Sequence, residues 1–239
     1  LHCHIGSQIF ELESYSYTAE VMMAFIKQIH EETGFCVEAL DMGGGLGVYY
    51  AEGDEPRAVQ DYADVLAGAV LEKADEWGFP APRIIVEPGR SISAPAGTTL
   101  YTVGAIKEIP GVRKYLAVDG GMGDNPRTAL YQARYEACLA GKITHPPSEV
   151  VSIAGKCCES GDMVIWDIEL PPAEPGDILA VSCTGAYNYS MSMNYNRLPR
   201  PAMVLVRGGR AELITRRESY EDLIMNDLIP ERLAKKTAL

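Results

Sequence analysis

At 239 residues, with 47% hydrophobic and 23% charged side chains, the chain has room for one large α/β domain or two modest ones, and its composition excludes a disordered polymer. Lys+Arg 21 against Asp+Glu 33 leaves a formal charge of −12, which repels phosphate backbones and anionic lipid heads and argues against nucleic acid and membrane partners. No apolar run approaches the roughly 20 residues of a spanning helix, and six cysteines without a CxxC pattern fit reduced cytoplasmic thiols better than a disulfide framework or a zinc site.

The chain opens without Met, directly into a short core strand over Leu1–Ile5, so a missing N-terminal part is expected. That strand ends in Gly6-Ser7-Gln8. From about Ser14 to Thr33, Val21, Met22, Phe25, Ile26 and Ile29 recur at helical spacing, and Gly34 stops the helix. Cys36–Met42 reads as the next strand and runs into Gly43-Gly44-Gly45-Leu46-Gly47. A second helix follows from about Gln60 to Trp77, with Tyr62, Leu66, Val70 and Ala74 on one face. Ile84–Val86 is a third apolar strand, closing in Glu87-Pro88-Gly89-Arg90. Short apolar strands separated by helices predict a parallel sheet covered by helices.

Beyond about Pro95 the rhythm becomes that of β-structure. Strands are expected at Leu100–Ile109, Tyr115–Val118, Glu149–Ala154, Ile178–Cys183 and Met203–Val206, with Arg207–Arg210 turning a hairpin into Ala211–Thr215. Short helices are expected near Ala186–Met193 and Tyr220–Asp227. The division is therefore 1–95, α/β, and 96–239, mainly β.

Each of the three parallel strands ends in an unusual loop, at the end where α/β sheets and barrels bind ligands. Gly43, Gly44 and Gly45 let backbone N–H groups approach a phosphate, although a tight turn would also use them. Ser7 and Arg90 add a hydroxyl and a cation. His2 and His4 share one strand face; a core histidine is the plain alternative to a ring stacked on a planar cofactor, and no metal is expected. Glu87 either pairs with Arg90 or faces a ring nitrogen, where it would make a pyridine ring an electron sink. Together these features describe a pyridoxal phosphate site. In the β half, Cys157 fits a buried thiol, whereas Cys158, beside Glu159, is the one suited to chemistry. Arg127 and Tyr131 offer a grip on a carboxylate, and Tyr187 either donates to a phosphate at a helix start or packs in a core.

Taken in order, HCHIGSQ (2–8), DMGGGLG (41–47), EPGR (87–90), VDGGMGDNPR (118–127) with Leu130-Tyr131, CESGD (158–162) and GAY (185–187) resemble the diaminopimelate decarboxylase family. The resemblance spans nearly the whole chain. It implies fold-type III: the last strands of a (β/α)8 barrel, followed by a mainly β domain of Greek-key type. It also implies pyridoxal 5'-phosphate, with His4 stacking on the ring and Ser7, Gly43, Gly44 and Gly45 on the phosphate. Glu87 falls to the pyridine nitrogen and Gly89 and Arg90 to the cofactor and substrate; Arg90, Arg127 and Tyr131 fall to the distal carboxylate. Cys158 becomes the proton donor, Glu159 the reader of the distal amino group, and Tyr187 a contact to phosphate and substrate. A homodimer sharing its sites follows, as does the conversion of meso-diaminopimelate to L-lysine.

The family's Tyr-Ala-X-Lys segment, which supplies the lysine that binds the cofactor, does not occur in these residues. The chain alone is accordingly expected to be inactive and to fold poorly. The alternatives are a related decarboxylase of a basic amino acid or carboxynorspermidine, or a lysine-less regulator of the same fold.

Overall fold

The computed structural model describes residues 1–233; residues 234–239, the end of the expected second domain, lie outside them. The α/β part begins with helix α1 (Glu13–Thr33), strand β1 (Ala39–Asp41), helix α2 (Val59–Trp77) and strand β2 (Arg83–Ile85). β1 and β2 pair in parallel, and the segment before α1 runs alongside β1. That segment makes two isolated bridges, His2 to Asp41 and Ile9 to Leu46, rather than the expected strand over 1–5.

α2 buries the predicted face, with Tyr62, Leu66, Val70 and Ala74 inside. α1 does not: Val21 and Phe25 stay about half exposed, at 48% and 47%, and the buried stripe is Tyr15, Ala19, Met23 and Ile26. The cause lies at the start of the helix. The Tyr15 ring meets Tyr62 of α2 edge-on at 4.6 Å, and this aromatic anchor turns the helix so that its stripe runs through Tyr15.

A short helix α3 (Arg90–Ser93) leads into the β part: β3 (Thr99–Ile109), β4 (Arg113–Val118), helix α4 (Arg127–Tyr131), β5 (Ala137–Leu139), β6 (Glu149–Ala154), β7 (Met163–Leu170) and β8 (Ile178–Val181). These strands form one sheet in the order β5-β8-β3-β4-β6-β7, antiparallel except for the parallel β4–β6 pair. Leu116, Val151, Ile153, Val164, Leu179 and Val181 are fully buried within it, each contributing about 1.5–3 kcal/mol by removal from water. β5 and β7 were not expected from the sequence. β7 hides its period because Asp167 takes a positive φ of 48° and the register with β6 shifts, which breaks the in–out alternation.

Two further departures concern the C-terminal third. The helix expected over Ala186–Met193 is only a 3-10 turn at Tyr189–Met191, and Tyr187 stands before it with φ 64°. Tyr187 is therefore not at a helix start. Among the described residues the hairpin β9 (Met203–Arg207) and β10 (Arg210–Thr215) pairs only with itself, and Val204, Leu205, Val206, Leu213 and Ile214 are all at least half exposed.

Helix α5 (Tyr220–Ile224) starts in a capping box between Ser219 and Asp222. Just before it, Glu218 accepts from the backbone N–H of Arg200 at 2.8 Å and from its Nε at 2.7 Å. The Arg200 side chain, its backbone N–H and the Asn194 amide hold the Glu218 carboxyl down at about 2, against an ordinary 4.5. A depressed carboxyl stabilises the fold fully above its unfolded value and loses that contribution as pH falls towards its folded one. Glu218→Gln is thus expected to lower Tm by a constant amount above pH 4.5, and the gap to the parent should close between pH 4.5 and about 2. Thermal unfolding of parent and variant, both made in the longest reading frame that contains this chain, checks this across that range.

Candidate active site

The three strand-end loops are locked together by close backbone approach. A Cβ on Gly44 would lie 2.3 Å from the Glu87 carbonyl oxygen, and one on Gly45, whose φ is +104°, would lie 2.4 Å from that of Gly6. No side chain fits at either position. Part of the glycine requirement is therefore loop packing, as the tight-turn alternative had it. His4 is set by the same loop: the N–H of Gly44 donates to its Nδ1 at 3.3 Å, which leaves the ring proton on Nε2.

Arg90 does not pair with Glu87, and the salt bridge offered as one alternative is absent. Its Nη2 donates to Ser7 Oγ at 2.7 Å and its Nη1 to the Tyr50 hydroxyl at 2.6 Å, while its Nε is buried without a partner. The partner of Glu87 is His2, with Nε2 3.1 Å from Oε2. Asp41 completes this group: one atom from each of His2, Asp41 and Glu87 falls within a 4.8 Å cluster. Glu87 is thus partnered by the His2 imidazole rather than by Arg90, with an Asp41 oxygen close by.

Arg127 joins Arg90. Both are 8% exposed, and both guanidinium carbons lie over the Tyr50 ring, at 5.1 and 5.4 Å, and over the Tyr187 ring, at 5.9 and 4.8 Å. Among the described residues the only hydrogen bond of the Arg127 side chain goes to the Tyr135 hydroxyl at 2.9 Å. Among the described residues neither arginine has a carboxylate partner. Two buried cations held only by phenols and a hydroxyl are costly unless an anion joins them. Tyr50 and Tyr135 were missed in the sequence because tyrosines 40 and 8 residues from their arginines carry no motif. Tyr131, expected beside Arg127, is 63% exposed on α4.

A second group forms around Cys158 and Glu159. Buried Asp162 accepts the N–H of Met122 at 2.6 Å and that of Cys157 at 2.7 Å, tying the Arg127-bearing loop to the cysteine loop. Cys157 is half-buried, and burial together with Asp162 pushes its thiol up to about 11. Cys158 is exposed. Glu159 accepts a hydrogen bond from Tyr195, and the Asn196 amide nitrogen lies 3.9 Å from the Cys158 sulfur. No motif marks Tyr195 or Asn196 in the sequence. No direct side-chain bond among the described residues joins this group to the two arginines.

Residues 1–94 match the family model described as the pyridoxal binding domain of pyridoxal-dependent decarboxylases. The chain is 54% identical over 228 residues to the diaminopimelate decarboxylase of Bacillus subtilis, covering 95% of this chain and 52% of that one. It is 48% identical over 234 residues to that of Synechocystis, covering 98% and 50%. A crystal structure of the M. jannaschii diaminopimelate decarboxylase with L-lysine superposes with a TM-score of 0.90 at 40% identity, covering 97% of this chain and 52% of that one. The chain spans about half the length of the relatives it matches. Its fold class is accordingly α/β, a portion of a (β/α)8-type barrel followed by a mainly β region. The residues fit the cofactor named by that family: Arg90 with Ser7 suits a phosphate, Glu87 suits a ring nitrogen, and Arg127 leaves a second guanidinium for another anion, while the Gly43 and Gly44 N–H groups are bonded to Asp41 and His4. No helix among the described residues is long and apolar enough to cross a membrane.

Proposed function

We propose that these residues belong to a pyridoxal 5'-phosphate-dependent decarboxylase that converts meso-2,6-diaminopimelate to L-lysine and CO2. The observation that carries this is the pair of buried arginines without carboxylates, Arg90 and Arg127, gathered on Tyr50 and Tyr187. When bound, the cofactor supplies a ring that takes up the electron pair released as CO2 leaves. His4 packs on that ring, and Glu87, steadied by His2, faces its nitrogen. Ser7 holds the phosphate, and the Gly43-Gly44-Gly45 turn, free of side chains, gives it room to approach. Arg90, already bonded to Ser7, lies on the phosphate side, with Gly89 and Tyr187 beside it. Arg127 and Tyr131 grip the distal carboxylate. Cys158 returns the proton, Glu159 takes the distal ammonium, and both reach the site of a second copy in a homodimer. Residues 1–95 form the barrel portion and residues 96–239 the β domain; one hydrophobic cluster gathers on Tyr62, and the cluster around Leu116 also takes in Val48, Tyr50 and Ala94 from the barrel side. Six free cysteines suit the cytoplasm.

The test is the longest reading frame that contains this chain, purified with cofactor and offered diaminopimelate, ornithine, arginine and carboxynorspermidine. CO2 and L-lysine from diaminopimelate are expected, and a preference for any of the other three would overturn the assignment. The 239-residue chain alone is expected to release no CO2 and to show no lysine-linked cofactor absorbance; a band of that kind would sink the inactivity claim.

A further inference from the structure

The proton-donating group described above is not built by the cysteine loop alone. The chain returns to it at residues 194–197, where Tyr195 donates to Glu159 and Asn196 brings its amide nitrogen within 3.9 Å of the Cys158 sulfur. We propose that Tyr195 and Asn196 are positioning residues of this site, Tyr195 aiming Glu159 at the distal ammonium of the substrate and Asn196 orienting the Cys158 thiol. The proposal rests on the decarboxylase assignment.

Three observations support it. First, Glu159 has no cation partner among the described ion pairs, and its one side-chain bond is to the Tyr195 hydroxyl. A carboxylate has about four lone-pair sites, so a single phenol donor fixes its direction while leaving the rest for an incoming ammonium. The same bond pushes the Tyr195 hydroxyl up to about 12, so it remains a donor across the working range of any enzyme.

Second, the loop is bent to make these contacts. Asn196 and Arg197 both hold φ near 54°, in the left-handed region that side chains with a Cβ avoid, and Asn is the residue after glycine that tolerates it best. Third, the opposite side of the loop is strapped to the C-terminal segment. Asn194 donates to Glu218 at 2.6 Å, and Arg197 holds Asp227 through bonds of 2.7 and 3.3 Å. With its outer side tied down in this way, the loop presents Tyr195 and Asn196 to the two reacting side chains.

The discriminating variants are Tyr195→Phe and Asn196→Gly, made in the longest reading frame and loaded with cofactor. Glycine accepts the left-handed backbone, so Asn196→Gly removes the amide and keeps the bend. Tyr195→Phe is expected to raise KM for diaminopimelate about tenfold with kcat within about twofold. Asn196→Gly is expected to lower kcat at least about tenfold, within the range of a misdirected general acid, with KM unchanged. It should also change the rate at which iodoacetamide alkylates Cys158, located by mass spectrometry, at least about threefold. An unchanged KM in Tyr195→Phe overturns the first assignment, and unchanged kcat and alkylation in Asn196→Gly overturn the second. A parent protein that releases no CO2 from diaminopimelate defeats the functional assignment, while the alkylation rates still decide the role of Asn196.

Discussion

Arg127→Met in the longest reading frame is expected to lower kcat/KM for diaminopimelate by about 10²–10³ while leaving Tm unchanged or higher. The two effects have one origin. The Arg127 guanidinium is 8% exposed and, among the described residues, bonds only to the Tyr135 hydroxyl. A buried cation without a counter-ion lowers stability, and a methionine of similar reach fills the space between Tyr50 and Tyr187 without that penalty. Removing one partner of a buried charge pair costs about 3–5 kcal/mol, and that loss falls on the bound state alone if the partner is a substrate carboxylate. A structural arginine would behave in the opposite way, with Tm falling and kcat/KM following the folded fraction. Steady-state kinetics with a melting curve on the same preparation separates the two cases.

Gly185→Ala is expected to be the most damaging single methyl in the chain. The added Cβ would stand 1.8 Å from the Ser93 carbonyl oxygen and 3.0 Å from the Gly97 nitrogen, so backbone on both sides must part. That crossing is also bonded, Thr184 N–H to the Gly97 carbonyl at 3.0 Å and Gly185 N–H to that of Ala94 at 3.1 Å. Overpacking of side chains costs about 1–3 kcal/mol, and backbone cannot rotate away as side chains do, so at least about 3 kcal/mol is expected. For a chain of this size that is a fall in Tm of roughly 6–12 °C. Gly141→Ala, which meets nothing within 4 Å, is the control and should melt with the parent. Tyr187 lies two residues beyond Gly185, so cofactor retention should fail together with stability.

The sequence was most legible where local chemistry and spacing agree. α2 and β6 are found within a residue of their expected limits because Tyr62, Leu66, Val70 and Ala74 keep helical spacing and Glu149–Ala154 is bounded by Pro and Gly. The three strand-end loops were legible for the same reason, since Gly-Gly-Gly and Glu-Pro-Gly-Arg mark themselves. Pairing was not. Nothing local to Arg90 says that it turns to Ser7 and Tyr50 instead of the nearby Glu87, because the imidazole that partners Glu87 is 85 residues from it. Tyr195 and Asn196 are hidden likewise, since their partners stand 36 and 38 residues away and the bend that aims them has no glycine to announce it. β7 failed through its own geometry, with Asp167 interrupting the alternation that identifies a strand.

The β9–β10 ribbon carries a consequence for handling. Val204 and Val206 lie on one face and Met203 and Leu205 on the other, and each is at least 38% exposed. Such a ribbon is adhesive on both sides, and two strands alone are marginal in water. Opposing that adhesion is the charge of −12, whose reach shrinks to about 10 Å at 0.1 M salt. Apolar attraction also weakens on cooling. The colloidal state of the chain is therefore set by a contest between ribbon and charge, which cold, dilute buffer tilts towards dispersal and warm brine towards clumping.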